Sequence, residues 1–137
     1  MITDQNYFDH DADIGIIGKG LSLEQSFEQA AEAMFALMGD LSKVSPKTEL
    51  SFEFEENDTE LALVTWLNLL LAKAQATHLI LCRFKIKREG NQWHGEAQGD
   101  VWHDSIERGI DVKGATLTML SVKQLDKQWE SQCVVDV

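Results

Sequence analysis

The spacing of apolar residues between positions 23 and 38 predicts an amphipathic helix. Apolar side chains recur there every three or four residues, so they share one face of a helix. Ser22 and Gln25 have the spacing of a capping box, in which the hydroxyl accepts a main-chain amide and the glutamine reaches back. Gly39 occupies the position of a left-handed C-terminal cap. The apolar stripe consists of Phe27, Ala30, Ala31, Met34 and Met38.

A second, more apolar helix is predicted from about Asp58 to about Ala76. Asn57 can cap its first turn, and the carboxylates of Asp58 and Glu60 favour the positive end of the helix dipole. Leu, Val and Trp occupy most of positions 61–71, which leaves few polar positions. We expect this helix to be packed against other elements over most of its surface.

The remaining apolar segments alternate with polar residues, which is the pattern of half-buried strands. Turns are predicted at Gly90-Asn91 and at residues 125–128. With helices concentrated in the first half and strands in the second, we expect an α+β fold. It forms one compact domain, residues 1–137, in which two main helices cover antiparallel β-sheets. The predicted strands are residues 52–55, 82–87, 92–102, 115–123 and 129–137.

The charge balance narrows the classes of function. Lys and Arg number 12 against 23 Asp and Glu, a net charge of −11. Phosphate contacts need Lys or Arg, so this balance argues against stable direct binding of nucleic acid and against an anionic membrane surface. No leader and no apolar stretch long enough to span a bilayer is visible, so we expect a cytoplasmic protein. Cys82 and Cys133 lack CxxC spacing and are expected to be reduced.

The chain opens with an acidic segment of alternating aspartates. If the segment is extended, Asp9, Asp11 and Asp13 project from one face. Hard divalent ions bind carboxylate oxygens of this kind, although an EF-hand is excluded because Ile14 and Gly20 stand where Gly and Glu are needed. A solvated acidic turn, or a carboxylate that caps a main-chain amide, remains an alternative interpretation.

The last residues offer further oxygen ligands. A β-prone run from 133 to 137 continues to the final residue, which suggests that this segment is tied into a sheet. It carries the side-chain carboxylate of Asp136 and the α-carboxylate of Val137. On a strand, Asp136 has a defined face and can meet Asp13. Any cation bound near the acidic opening would draw ligands from here.

Several motifs, in this order along the chain, resemble those of the archease family. Residues 9–15 are similar to its His-x-Ala-Asp-Ile-Gly signature, and residues 21–38 to its first helix. The leucine-rich segment 66–70, the Asp-Val-Lys of 111–113, and Asp136 followed by an aliphatic residue also fit. The resemblance covers nearly the whole chain.

The resemblance implies a non-catalytic protein that acts on another enzyme. Archeases are small partners of the RtcB-type RNA ligase and promote its guanylylation and multiple turnover in tRNA splicing or RNA repair. The family's divalent-metal site, described as calcium, corresponds to Asp13, Asp136 and Val137, with no catalytic residue. The alternative from another class is a stand-alone metal-dependent hydrolase that uses Asp9, Asp11 and Asp13.

The sequence departs from the usual archease pattern at three places. Asp11 stands where Thr is more common and adds a negative charge. Residues 105–110 replace a His-x-Pro stretch, and Leu117-Thr118 replaces a Tyr-His pair. If those histidines contact the ligase or its metals, we expect this chain either to activate the ligase more weakly or to act on a divergent partner.

Other motifs favour structural roles. The four histidines show no HxxH or HExxH spacing, so no zinc site is expected, and His10 is interpreted as a hydrogen-bonding strut. The glycines at positions 15, 18 and 20 do not form a phosphate loop and are predicted to allow a turn. No basic groove accompanies the four tryptophans, so they are expected to pack in the core or on the sheets.

Overall fold

The computed structural model describes residues 4–137 as two α-helices and eight β-strands, with two short 3-10 turns. The predicted α+β fold, with two main helices and antiparallel sheets, is confirmed, although three strands already occur before the second helix. In chain order the elements are β1 (Tyr7–His10), β2 (Asp13–Gly20), α1 (Leu23–Met38), β3 (Thr48–Glu55), α2 (Thr59–Thr77), β4 (Leu79–Glu89), β5 (Gln92–Val101), β6 (Gly114–Ala115), β7 (Ser121–Leu125) and β8 (Gln128–Asp136).

The strands form two antiparallel sheets. In the five-stranded sheet the order is β1-β2-β8-β6, and β7 also pairs with β8. In the three-stranded sheet the order is β3-β5-β4. Strand β8 therefore pairs with three others, and its antiparallel pairing with β2 brings the start of β2 to the end of β8.

The predicted strand over residues 115–123 is wrong, because β6 ends at Ala115 and β7 begins only at Ser121. Between them the Thr116 hydroxyl donates to Val134 O at 2.7 Å. Met119 then adopts a left-handed conformation, with φ 54°. The chain therefore bends between β6 and β7 and does not form one continuous strand.

Helix α1 has the predicted bounds and begins with a side-chain cap. The Ser22 hydroxyl accepts from Gln25 N at 3.0 Å. The Gln25 side chain accepts from Leu21 N at 2.6 Å, one residue earlier than in a standard capping box. The predicted start of the helix is confirmed.

The predicted left-handed cap at Gly39 is wrong, because its backbone is extended with φ −174°. The last carbonyls of α1 are satisfied from a distant loop instead. Gly109 N donates to Met38 O at 2.8 Å, and Ile110 N donates to Leu37 O at 2.7 Å. A helix whose final carbonyls have such partners needs no local left-handed turn.

Helix α2 begins one residue later than predicted. Asp58, not Asn57, is its N-cap: the Asp58 carboxylate accepts from Glu60 N at 2.8 Å and from Leu61 N at 3.1 Å. The helix ends at Thr77, and its C-cap, His78, has a left-handed conformation with φ 59°. Among residues 4–137, no helix has the length and apolarity needed to cross a bilayer.

The core lies between the helices and the sheets and is centred on aromatic rings. Trp66 is fully buried and donates from Nε1 to Phe27 O at 3.0 Å. Phe27 stacks on the buried Trp93 with 5.3 Å between ring centroids. Trp102 and Trp129 are half-buried against the same core. The packing role predicted for the tryptophans is confirmed.

The glycines predicted to form a turn lie instead within β2, so that prediction is wrong. A Cβ atom on Gly18 would lie 2.2 Å from Ala30 N and 2.2 Å from Ser26 O, both main-chain atoms of α1. Glycine therefore lets α1 pack directly on β2. The two cysteines are free, with Cys133 buried and Cys82 half-buried.

Candidate metal site at the ends of β2 and β8

The acidic opening segment forms a hairpin rather than one extended strand. Strands β1 and β2 are joined by a two-residue turn in which Asp11 has φ 52°. The register pairs His10 with Asp13 and Asp9 with Ile14. Directly paired residues share a face and successive residues alternate, so Asp9 and Asp13 lie on opposite faces. The predicted common face of the three aspartates is wrong because the chain reverses direction.

This geometry removes the basis of the hydrolase alternative, which needed three converging carboxylates. In the described part of the chain, no three His, Cys, Asp or Glu side chains are grouped closely enough to hold a metal ion. The set predicted from the family resemblance is of a different kind. It has two side chains, Asp13 and Asp136, and its third group is the main-chain carboxylate of Val137.

The predicted meeting of the early aspartate with the last residues is observed. The β2–β8 register pairs Ile14 with Val135, and one further step places Asp13 opposite Asp136. Val137 N donates to Asp13 Oδ1 at 3.2 Å, across 124 positions of sequence. Asp13 and Val137 are half-buried, whereas Asp136 is exposed.

The register and the strand geometry favour a close approach of the Asp13 and Asp136 side chains. Amide directions alternate along a strand, and the Val137 amide points towards Asp13. Asp13 and Asp136 are therefore a pair without mutual main-chain hydrogen bonds, the type in which side chains approach most closely. On its other side Asp136 pairs with Gly114, whose missing side chain leaves space beside the carboxylate.

The facing carboxylates have no cationic partner. Within residues 4–137, no Lys, Arg or His nitrogen lies within 4.0 Å of Asp13 or Asp136. His10 Nδ1 lies 3.8 Å from Asp11 Oδ2, which is too long for a hydrogen bond, so the predicted strut is not formed there. Two uncompensated carboxylates on paired strands are donors of the kind that a hard divalent cation binds.

The structure also reveals a feature that the sequence patterns did not indicate. The α1–β4 groove is a cavity of about 410 Å³ between α1 and β4. Its walls include Glu28 and Glu32 from α1 and residues 82–85 from β4. The only sequence signal was the spacing of Glu28 and Glu32, which places both on one side of the helix. The strand that completes the groove lies far along the chain.

The amino-acid sequence matches a known protein family over nearly its whole length. The model of the archease protein family matches residues 6–137. The protein archease of Sulfolobus acidocaldarius is 36% identical, with 99% of this chain and 100% of that protein aligned. The protein archease of Pyrococcus furiosus is 32% identical, with 96% of each chain aligned.

Two solved structures share the fold. The solution structure of Methanobacterium thermoautotrophicum protein 1598 has a TM-score of 0.79 and 30% identity, covering 96% of this chain and 97% of that one. The crystal structure of a Thermotoga maritima protein, described as an archease and possible chaperone, has a TM-score of 0.65 and 21% identity, covering 95% and 94%. By its sequence, over nearly its full length, this chain belongs to the archease protein family.

Proposed function

We propose that this protein is a non-catalytic activator of an RtcB-type RNA ligase and promotes the ligase's guanylylation and multiple turnover in tRNA splicing or RNA repair. We further propose that it holds a divalent cation, calcium, between Asp13, Asp136 and the α-carboxylate of Val137. Family membership over residues 6–137 supports the first statement. The facing pair of uncompensated carboxylates supports the second.

Each of the three groups of the proposed site supplies oxygen ligands to the ion. Asp13 is fixed by its hydrogen bond from Val137 N, which positions its carboxylate at the rim of the sheet. Asp136 is exposed and supplies the second carboxylate from the adjacent strand. Calcium takes six to eight oxygen ligands. Three protein groups leave positions for water or for oxygens of a partner, and a bound ion would supply charge neutralisation at that contact.

The charge of the chain suits a partner with a basic surface. The net charge is −11, and an enzyme that handles RNA presents Lys and Arg to phosphates. Complementary charge accelerates encounter between two proteins and selects their orientation. The same charge disfavours stable direct contact of this chain with RNA, so we place the RNA on the ligase.

The proposal is tested by guanylylation of the cognate ligase under multiple-turnover conditions. Limiting ligase is incubated with GTP and metal, with wild-type protein, Asp13→Asn, Asp136→Asn or Asp126→Asn. The last is the matched control, because Asp126 has left-handed geometry in the β7–β8 turn and asparagine accepts it. We expect stimulation by wild type and Asp126→Asn and its loss in the other two.

Two results would contradict the proposal. One is equal stimulation by all four proteins, which would separate activation from the carboxylate pair. The other is no stimulation by wild type together with intrinsic hydrolysis of nucleotide or RNA, which would favour an enzyme. Circular dichroism spectra of each variant confirm that loss of stimulation is not loss of fold.

A further inference from the structure

The α1–β4 groove is a site distinct from the carboxylate pair, because none of its lining residues belongs to the proposed metal site. It lies against β4, an edge strand of the three-stranded sheet. Its volume of about 410 Å³ falls in the range of small-molecule pockets. It is large enough to admit one extended organic side chain.

One wall of the groove is acidic, and its described carboxylates form no salt bridge. Glu28 and Glu32 lie four residues apart on α1 and so on the same side of the helix. Glu28 is half-buried, and its Oε2 accepts from Ile86 N at 3.0 Å. In the described chain, no Lys, Arg or His nitrogen lies within 4.0 Å of either carboxylate. Burial raises the pKa of the Glu28 carboxyl, although the hydrogen bond from Ile86 N and the charge of Lys85 lower it.

An aromatic ring lines the same groove as these carboxylates. Phe84 lines the groove, is half-buried, and packs against Phe35 with 5.4 Å between ring centroids. A ring next to carboxylates is the combination that binds organic cations, since the ring contacts the apolar stem and also attracts positive charge.

The remaining charges of the groove limit the charge of the ligand that it can bind. Arg83 and Lys85 also line it, and Lys85 pairs directly across the sheet with Glu96. The lining also contains four glutamates, so the formal charge of its side chains is 2 − 4 = −2. These glutamates are Glu28, Glu32, Glu49 and Glu96. The two basic side chains would repel a second positive charge on the same ligand.

We propose that the α1–β4 groove binds one singly charged organic cation, an alkylammonium or guanidinium group. Its charge lies against Glu28 and Glu32, and its stem lies along Phe84. The group comes either from a free amine or from a Lys or Arg side chain of a partner protein.

Titration of the ¹⁵N-labelled full chain tests this proposal. The probes are n-butylammonium, Nα-acetyl-lysine methylamide, spermidine and, as the neutral control, n-butanol, all at matched ionic strength. We expect saturable shifts of the Phe84 and Ile86 amides with one or both monocations. Saturation by the lysine derivative alone identifies a side chain of a partner, and saturation by butylammonium alone identifies a free amine. No saturable shift, an equal shift with butanol, or tighter binding of spermidine overturns the proposal.

Two charge-neutralising variants make the test specific to the groove. Glu28→Gln keeps an oxygen that accepts from Ile86 N, and Glu32→Gln keeps the side-chain shape. Each is expected to weaken monocation binding about tenfold, the effect of losing one charge-assisted contact. Glu89→Gln is the matched control, since Glu89 lies at the end of β4 and does not line the groove. Equal weakening by all three variants would mean unspecific attraction and would overturn the proposal.

Discussion

Replacing Asp13 by asparagine should change protein stability in opposite directions with and without calcium. Asparagine keeps the oxygen that accepts from Val137 N and removes only the charge. Side chains directly paired across strands have Cβ atoms about 5 Å apart. At that distance two like charges repel by about 0.8 kcal/mol in water and about 3 kcal/mol at an effective dielectric constant of 20. Because Asp136 is exposed, we take about 1 kcal/mol.

Without metal, Asp13→Asn is therefore expected to melt about 3 °C higher than wild type. With calcium at a hundred times its dissociation constant, wild type gains about 2.7 kcal/mol and becomes the more stable protein. The assay is thermal unfolding by circular dichroism, in chelator and in calcium, with Asp126→Asn as the control for a simple change in net charge. Lower stability of metal-free Asp13→Asn, or an equal calcium effect in both proteins, would refute the facing-carboxylate arrangement.

Three further predictions concern the chain end, the packing of α1 and the behaviour at high pH. A peptide appended after Val137 removes an α-carboxylate charge and should weaken calcium binding in calorimetric titration; equal affinity with and without the extension would exclude that ligand. Gly18→Ala places a methyl group against the main chain of α1 and should lower the free energy of unfolding by about 3 kcal/mol in urea; Gly114→Ala, which meets its nearest atom only at 3.5 Å, is the tolerated control. Burial, and then the charge of Glu32, raises the pKa of Tyr7 to about 12. Because the folded state favours the neutral phenol, Tyr7 contributes fully to the free energy of unfolding below pH 10, and this contribution is lost as the pH rises from about 10 to about 12. The free energy of unfolding of Tyr7→Phe should depend less on pH in this range.

The elements with a clear amphipathic period were predictable from the sequence. The bounds of α1 followed from its apolar stripe and from Ser22, because both signals are local. The hairpin turn at Gly90 was equally clear, since glycine there adopts φ 63°. For α2 the ambiguity was only which of two neighbouring residues, Asn57 or Asp58, caps the helix. Both side chains suit that role, and only the geometry of the first turn distinguishes them.

Other features depended on contacts between distant segments. The turn at Asp11 contains no glycine, so its alternating aspartates resembled a strand although the chain reverses there. Gly39 had the sequence of a cap, but the carbonyls that a cap would satisfy are taken by residues 109 and 110.

For the candidate metal site, the meeting of Asp13 with the last strand was predictable, because both flanking runs are β-prone. The faces on which these side chains lie could be assigned only from the strand register. The spacing of Glu28 and Glu32 alone could not predict the α1–β4 groove, since the groove exists only where a helix and a later strand pass each other.

The place of β8 in the five-stranded sheet has a consequence for biosynthesis. This strand pairs with β2, β6 and β7 and follows all of them in the sequence. On the ribosome, β2 is therefore made early and must wait, with one edge unpaired, until β8 has left the exit tunnel. Sheet closure is then a late event with large sequence separation, which is slow and leaves an exposed strand edge in the nascent chain. Ribosome stalling before β8 should leave this chain prone to aggregate or dependent on chaperones.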